Sequence, residues 1–377
     1  METLFKNEIE LFPTSWAEIR QRVVKVDPIR YGKTRNYLDG AVTYLSPYIS
    51  RGVLSTRFVL QEVLNRGFKP GQIEKFIQEL AWRDYWQQVW IARGERIDKD
   101  LKQRQDPVSN HEIPAALIKA RTGVRALDQA IVEFYETGYL HNHMRMYIAS
   151  LACNVGRCHW SQPARWMYYH LLDADWASNA LSWQWVAGTN SHKKYYANQE
   201  NINKFTDSRQ KGTFLDIPYE KFPHLEIPEV LMETEVPELR TPLPEDEELK
   251  IDPSLPTLIY NFYNLDPLWH KEARTNRILI LEPSVFRRYP VSKKTIDFIL
   301  ALAENVEGIQ VFPGEFRDLL GYFDPYPYDI MNVHYKEHPL NTHYRGTEEP
   351  RDWMFDVKGD YPSFFAFWKK CRKELSL

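Results

Sequence analysis

The chain has 377 residues, with 48 Lys and Arg against 51 Asp and Glu for a net charge of −3, and 43% of it is hydrophobic. That apolar share excludes disorder over the whole chain, and the length suits two domains of ordinary size. No run approaches the roughly 18 apolar residues of a membrane span, the N-terminal METLFKNEIE lacks the layout of a signal peptide, and Cys153, Cys158 and Cys371 form no CxxC pair, so a cytoplasmic protein with no membrane contact and no disulfide scaffold is expected.

Charge is unevenly spread. Residues 1–220 hold 29 basic and 24 acidic side chains, a net of +5, which leaves 19 against 27, a net of −8, for the remainder. A locally positive half can approach a polyanion whatever the overall balance. Aromatic residues reach 14%, and nine of the 12 Trp lie in that positive half.

Taken in chain order, the periodicity of residues 1–220 is helical. Ser46 and Pro47 predict a helix entry, with Pro in the first turn. Ile73, Phe76, Ile77 and Leu80 fall on one face, and the helix runs on through Phe76–Trp90, FIQELAWRDYWQQVW. Here Glu79, Trp82, Arg83 and Trp86 stand at i, i+3, i+4 and i+7, so an acid, a guanidinium and two indoles share a surface. That surface is either built for a ligand or is an amphipathic face whose Trp residues pack and whose Glu79 pairs with Arg83. Leu127, Ala130, Ile131 and Phe134 predict a further helix, as do Ile148, Leu151, Ala152 and Val155.

Between these two helices, Leu140–Tyr147 (LHNHMRMY) places Asn142, Arg145 and Met146 on one surface. His141 and His143, two apart on a helix, point away from each other, so no metal site is expected. In Asp173–Trp185 (DADWASNALSWQW) two carboxylates, Asp173 and Asp175, precede Asn179, Trp183 and Trp185. Acids this close need a guanidinium or a hydroxyl-rich ligand, and Arg145 is the candidate partner. Paired acids also suit the acid–base work of a glycosidase, which leaves the recurring tryptophans unexplained.

Seven prolines between Lys221 and Pro256, with the acidic run Glu245–Glu248, predict an extended linker over 221–256. Beyond it, RILIL (277–281) and GIQVF (308–312) predict short buried strands around a helix near 293–304, with TLIYNFY (257–263) as a possible further strand. The expected organisation is a mainly α domain over 1–220, the linker, and a small α/β domain over 257–377.

Six strings together resemble the FAD-binding catalytic domain of the DNA photolyase and cryptochrome family: YGKTRN from Tyr31, TYLSPYISRGVLS (43–55), ELAWRDYW (79–86), TGVRALDQAI (122–131), TGYLHNHMRM (137–146) and LLDADWASNALSWQW (171–185). They follow the family's order across a little more than half of the chain. The resemblance implies FAD as cofactor, with Tyr31, Thr43 and Ser46 along its phosphates, Arg83 reaching it, and Asn142, Arg145, Asp173 and Asp175 around the isoalloxazine and ribityl portions. Arg145 and Asp173 resemble the family's ion pair beneath the ring. Asn179 matches the residue facing flavin N5, where an amide favours the fully reduced FADH−.

Glu79, Trp82, Met146 and Trp185 match the positions that contact a flipped-out cyclobutane pyrimidine dimer, in single- or double-stranded UV-damaged DNA. The family's (6-4) enzymes carry His where this chain has Asn142 and Met146. The implied activity is that of a deoxyribodipyrimidine photolyase: an electron passes from excited FADH− to the dimer, two C–C bonds split, and the electron returns. Glu79, Asn179, Trp183 and Trp160 are the implied catalytic set, the two Trp as proximal and middle members of a photoreduction chain. The outer position of that chain falls on Leu117, so an exit through Trp166, Trp176 or a Tyr is the alternative.

The usual N-terminal antenna domain is not seen, which implies a short form. The segment after the linker is similar to half of such a domain moved to the C-terminus, and FAD is the one chromophore expected, with no antenna pigment. A cryptochrome-like blue-light receptor that binds FAD without repair is the second reading. Lys193 and Lys194, next to Trp185, are candidates for DNA contact or for a solvated loop.

Overall fold

The computed structural model describes residues 11–323 and 330–375. The N-terminal decapeptide read for signal character lies outside them. In chain order the helices that carry or frame the candidate residues are α1 (Trp16–Val24), α2 (Pro28–Thr34), α3 (Ser46–Ser50), α4 (Thr56–Asn65), α5 (Glu74–Arg93) and α6 (Arg125–Thr137). They continue with α7 (Asn142–Ser150), α8 (Ser161–His170), α9 (Trp176–Ala187), α10 (Gln199–Thr206), α11 (Lys293–Ala303) and α12 (Phe364–Glu374). Five strands form one sheet: β1 (Thr257–Tyr260), β2 (Asn276–Ile280), β3 (Ile309–Phe312), β4 (Val333–Lys336) and β5 (Thr347–Glu349). The fold is mainly α with a small α/β part, as the periodicity implies.

Among the described residues the chain gathers into two compact units. The first holds Asp27–Val42 and Ala92–Leu239, and the second holds 11–26, Thr43–Ile91 and 240–375. This grouping differs from the expected one, since helices α1, α3, α4 and α5 through Ile91 collect with the sheet. Polar ties account for it. Trp16 donates its backbone N–H to Asn305 Oδ1 at 2.7 Å, Asn305 Nδ2 donates to Thr14 O at 2.7 Å, and the buried Arg51 donates to Phe262 O at 3.3 Å. Helical spacing cannot reveal partners more than 200 residues away.

In the first unit, Leu127, Ala130, Ile131 and Phe134 of α6 all turn inward, as do Ile148 of α7 and Leu151, Ala152 and Val155, which prolong it as one π turn. Gly138 ends α6 in the left-handed region at φ +68°, which only glycine adopts cheaply, and its carbonyl accepts from Leu172 N at 2.8 Å. The stretch expected as an extended linker is mostly irregular, yet it is anchored. Phe222 and Leu231 are buried, and Thr234–Glu235 pairs antiparallel with Ile113–Pro114.

In the second unit the strand order is β3-β2-β1-β4-β5, all parallel, so the order reverses between β1 and β4. The expected β-α-β unit is β2, α11 and β3, with Ser292 capping α11 through Thr295 N at 3.3 Å. β4 (VHYK) and β5 (TEE) enlarge the sheet beyond the two or three strands expected, because neither carries an apolar run. Ile259, Ile278, Ile280, Phe312, Val333 and Tyr335 of the strands pack together with Leu249 from the Pro-rich stretch.

A Cβ at position 138 would meet Leu172 Cγ at 2.7 Å. Gly138→Ala is therefore expected to cost roughly 1–3 kcal/mol, read as a lower urea midpoint with an unchanged m-value.

Candidate functional site

The best-defined chemistry of the first unit lies where α7, α8 and α9 begin and pack. His141 caps α7, its Nδ1 accepting from His143 N at 3.2 Å. Burial, then the neighbouring His143, hold His141 down at about 4, so the ring stays neutral and can accept. His143 stacks on Phe205 at 4.6 Å, and among the described residues no group of three metal-capable side chains gathers.

One turn into α7, Arg145 Nη2 donates to Asp173 Oδ1 at 3.0 Å and Oδ2 at 2.8 Å, while its Nε donates to Leu140 O at 2.8 Å. Asp173 is buried in the turn that Gly138 O holds through Leu172 N. The pairing read from two adjacent acids is thus formed, and it joins the first turn of α7 to the segment leading into α9.

Asp175 caps α9 by accepting from Ser178 N at 2.9 Å. Asn179 follows one turn later, buried, and donates Nδ2 to Ala164 O at 2.8 Å. That bond orients the amide, and among the described residues Oδ1 meets no donor. One turn further, Trp183 is buried with no partner for its Nε1. Trp185, two residues on, is 39% exposed and lies 5.9 Å from the Tyr195 ring. Asn142 is exposed at the start of α7 and Met146 is half-buried, the amide reaching the thioether at 3.9 Å. Tyr31 is half-buried on α2.

The expected electron-relay residues take distinct environments. Trp160 is fully buried, with Nε1 donating to Asp100 Oδ1 at 2.7 Å. Leu117 is fully buried too. Trp166 donates to Tyr135 Oη at 3.0 Å and Trp176 donates to Asp98 Oδ1 at 2.7 Å. Of the two exposed-loop candidates for DNA, Lys193 is exposed and Lys194 is half-buried, its pKa lowered by burial.

The second unit holds the remaining candidates. Thr43 Oγ1 accepts from Leu45 N at 3.3 Å and Ser46 opens α3 ahead of Pro47. On α5, Glu79 pairs with Lys75 at 3.4 Å, and the Trp82 and Trp86 rings lie 5.1 Å apart. Trp82 is not open on both faces, as its expected stacking role would have it. Phe364 of α12 lies flat on it, with centroids 3.8 Å apart and planes at 10°.

Arg83 lines a cavity of about 250 Å³ with Thr56, Asp84, Gln87 and the carboxyl ends of β1 and β4, where the strand order reverses. Asp84 was missed by sequence reasoning, because an acid beside Arg83 on a helix gives no sign of burial. It accepts from Thr56 Oγ1 at 2.9 Å and Met354 N at 3.0 Å, and burial pushes its pKa up to about 6 against the lowering effect of those bonds.

Residues 76–216 match the FAD binding domain of DNA photolyase. The chain is similar to deoxyribodipyrimidine photo-lyases of Streptomyces griseus, at 32% identity over 42% of this chain and 36% of that one, and of Thermus thermophilus, at 34% over 42% and 38%. It is similar as well to cryptochrome DASH of Xenopus laevis, at 28% over 49% of this chain and 37% of that one. Among solved structures it resembles a cryptochrome of Synechocystis sp. PCC6803, at 26% identity and a TM-score of 0.46, over 54% of this chain and 44% of that one. The family match and these relatives support a photolyase/cryptochrome-type FAD binding domain within residues 76–216. It spans less than half the length of the curated relatives it matches. Among the described residues no helix is long and apolar enough to cross a membrane.

The Asp84 shift gives a signed expectation. A raised carboxyl pKa stabilises the fold below the unfolded value near 4, and that contribution is lost as pH rises through about 6. Urea unfolding of the wild type and Asp84→Asn in parallel is expected to show the wild type losing up to about 3 kcal/mol relative to the variant across that window.

Proposed function

We propose that the chain is a light-driven DNA repair flavoenzyme that binds FAD and splits cyclobutane pyrimidine dimers. The observation that carries this reading is the pair of half-buried Arg145 with buried Asp173, together with Asn179 on the neighbouring helix, whose Oδ1 meets no donor among the described residues. An oriented acceptor without a donor, a buried indole N–H without an acceptor at Trp183, and a guanidinium held by a carboxylate fit a planar, hydrogen-bonding flavin. Asn142, Arg145, Asp173, Asp175 and Asn179 of the first unit hold the cofactor, with Tyr31 towards its phosphates. Bound and reduced, FAD supplies the photoexcited electron that breaks the dimer.

The protein's own part is positioning. Arg145 offers positive charge at a fixed place, because both its Nη2 and Nε are engaged. Asn179 Oδ1 accepts a proton-bearing nitrogen without reorientation, since Ala164 O already fixes the amide. By motif, Met146 and Trp185 of the first unit and, separately, Glu79 and Trp82 of the second are the candidates for contact with an unstacked pyrimidine pair. Thr43 and Ser46 stay assigned to the phosphates by motif alone. Arg83 likewise stays assigned to the cofactor by motif alone, and in the second unit it lines the cavity beside Asp84 and the strand ends.

One observation favours the second reading, a blue-light receptor that binds FAD without repair: Phe364 covers the Trp82 face that a lesion would use. A relative named cryptochrome DASH supports it as well.

The purified protein is expected to be yellow, with flavin absorption. Arg145→Ala is expected to lose most of that flavin and to lower stability by about 3 kcal/mol, because it takes the guanidinium away from the buried Asp173 carboxylate. Illuminated with reduced protein, dimer-containing DNA is expected to lose its dimers, and Glu79→Ala to slow that loss at least tenfold with flavin content unchanged. Full flavin binding without repair would overturn the repair reading. If light-dependent partner binding or oligomerisation then survives Glu79→Ala and Met146→Ala, the receptor reading stands.

A further inference from the structure

We propose that the outer face of α12 is a binding surface for single-stranded DNA, flanking the lesion-binding face of α5. The proposal rests on the reading that the protein's partner is DNA, and it adds a surface that none of the photolyase-like motifs contains.

α12 lies antiparallel along α5. Phe364, at its start, stacks on Trp82, while one turn later Trp368 Nε1 donates to Glu74 at 3.4 Å and two turns later Arg372 pairs with Glu74 at 3.2 Å. Phe364, Phe367, Trp368 and Cys371 are buried by this packing at i, i+3, i+4 and i+7. The apolar stripe of the helix is therefore used up.

What remains outside is a run of cations with one aromatic ring. Phe365 is 69% exposed, more than any other large apolar side chain among the described residues. Lys369, Lys370 and Lys373 are exposed, and among the described residues they make no ion pair. Phe365, Trp368, Lys369, Arg372 and Lys373 line one shallow groove. An exposed ring beside unpaired cations is the combination that holds a single strand, in which bases stack on the aromatic face and phosphates release counterions to the lysines. Duplex DNA keeps its base faces occupied and gains only the phosphate contacts. A basic amphipathic helix can also lie on an anionic membrane, but that requires a free apolar stripe, and here only Phe365 is free.

The test is fluorescence anisotropy with a short labelled oligothymidylate, its duplex, and anionic phosphatidylserine vesicles, on the full chain. The wild type is expected to prefer the single strand. Lys369→Gln/Lys370→Gln/Lys373→Gln is expected to weaken binding tenfold or more at low salt and to reduce the slope of log affinity against log salt by about 2. Phe365→Ala is expected to weaken it about fivefold or more with the slope unchanged. Flavin content and thermal midpoint, measured on the same samples, report that the variants are folded. Unchanged affinity and slope in folded variants would overturn the proposal, as would binding to vesicles but not to the oligonucleotide. Absence of dimer repair with the variant effects intact would remove the repair reading and leave this surface standing.

Discussion

The contact between Arg145 and Asp173 is the constraint on which the first unit's chemistry depends, because a carboxylate that is almost wholly buried must be answered by a cation at hydrogen-bond distance. Satisfying it fixes more than one pair. Arg145 stands one turn into α7, so the capping of that helix by a neutral His141 sets where the guanidinium emerges. Asp173 stands in a turn held by Gly138 O, so the left-handed end of α6 sets where the carboxylate waits. Two residues later Asp175 begins α9 and thereby sets the phase at which Asn179 and Trp183 face inward. One electrostatic requirement thus links three helix termini, each with its own local sequence cause.

The charge and aromatic statistics acquire a place as well. The net of −8 beyond residue 220 hides a strongly basic last helix, whose lysines are exposed and make no ion pair among the described residues. Overall acidity and a local polyanion surface are compatible, since binding responds to the potential of a patch within about a Debye length and not to the chain average. The tryptophans divide by environment: Trp160, Trp166 and Trp176 are buried with their N–H groups bonded, Trp183 is buried with its N–H unmet, and Trp185 stands partly in solvent. Only the last two depart from ordinary core behaviour, and both follow Asn179 on α9.

Much of this is legible in the chain. Helical faces such as Leu127 to Phe134 are fixed by local periodicity, and the pairing of Arg145 with Asp173 follows from the cost of two adjacent acids. What periodicity cannot carry is partnership at long range. Nothing near Trp82 announces Phe364, nothing near Trp16 announces Asn305, and the polar strands β4 and β5 gain their places only from the neighbours they pair with. The burial of Asp84 belongs to the same class: its acceptors' partners, Thr56 and Met354, are 28 and 270 residues away.

The Phe364–Trp82 stack bears on how the two functional readings differ. A stacked aromatic pair contributes about 0.5–1.5 kcal/mol beyond its buried area, whereas a base stacked on an aromatic side chain contributes about 1–3 kcal/mol. Uncovering Trp82 also gives up the burial of Phe364, which is 2% exposed, so only an unstacked pyrimidine pair offers a compensating stack, while intact duplex, whose bases are already stacked, offers none. Under the repair reading the cover acts as a filter that admits only DNA with an unstacked lesion. Under the receptor reading nothing displaces it, and α12 stays docked through Glu74. The state of a single ring thus separates the two, for reasons that lie in the relative strength of two kinds of stacking and not in the flavin.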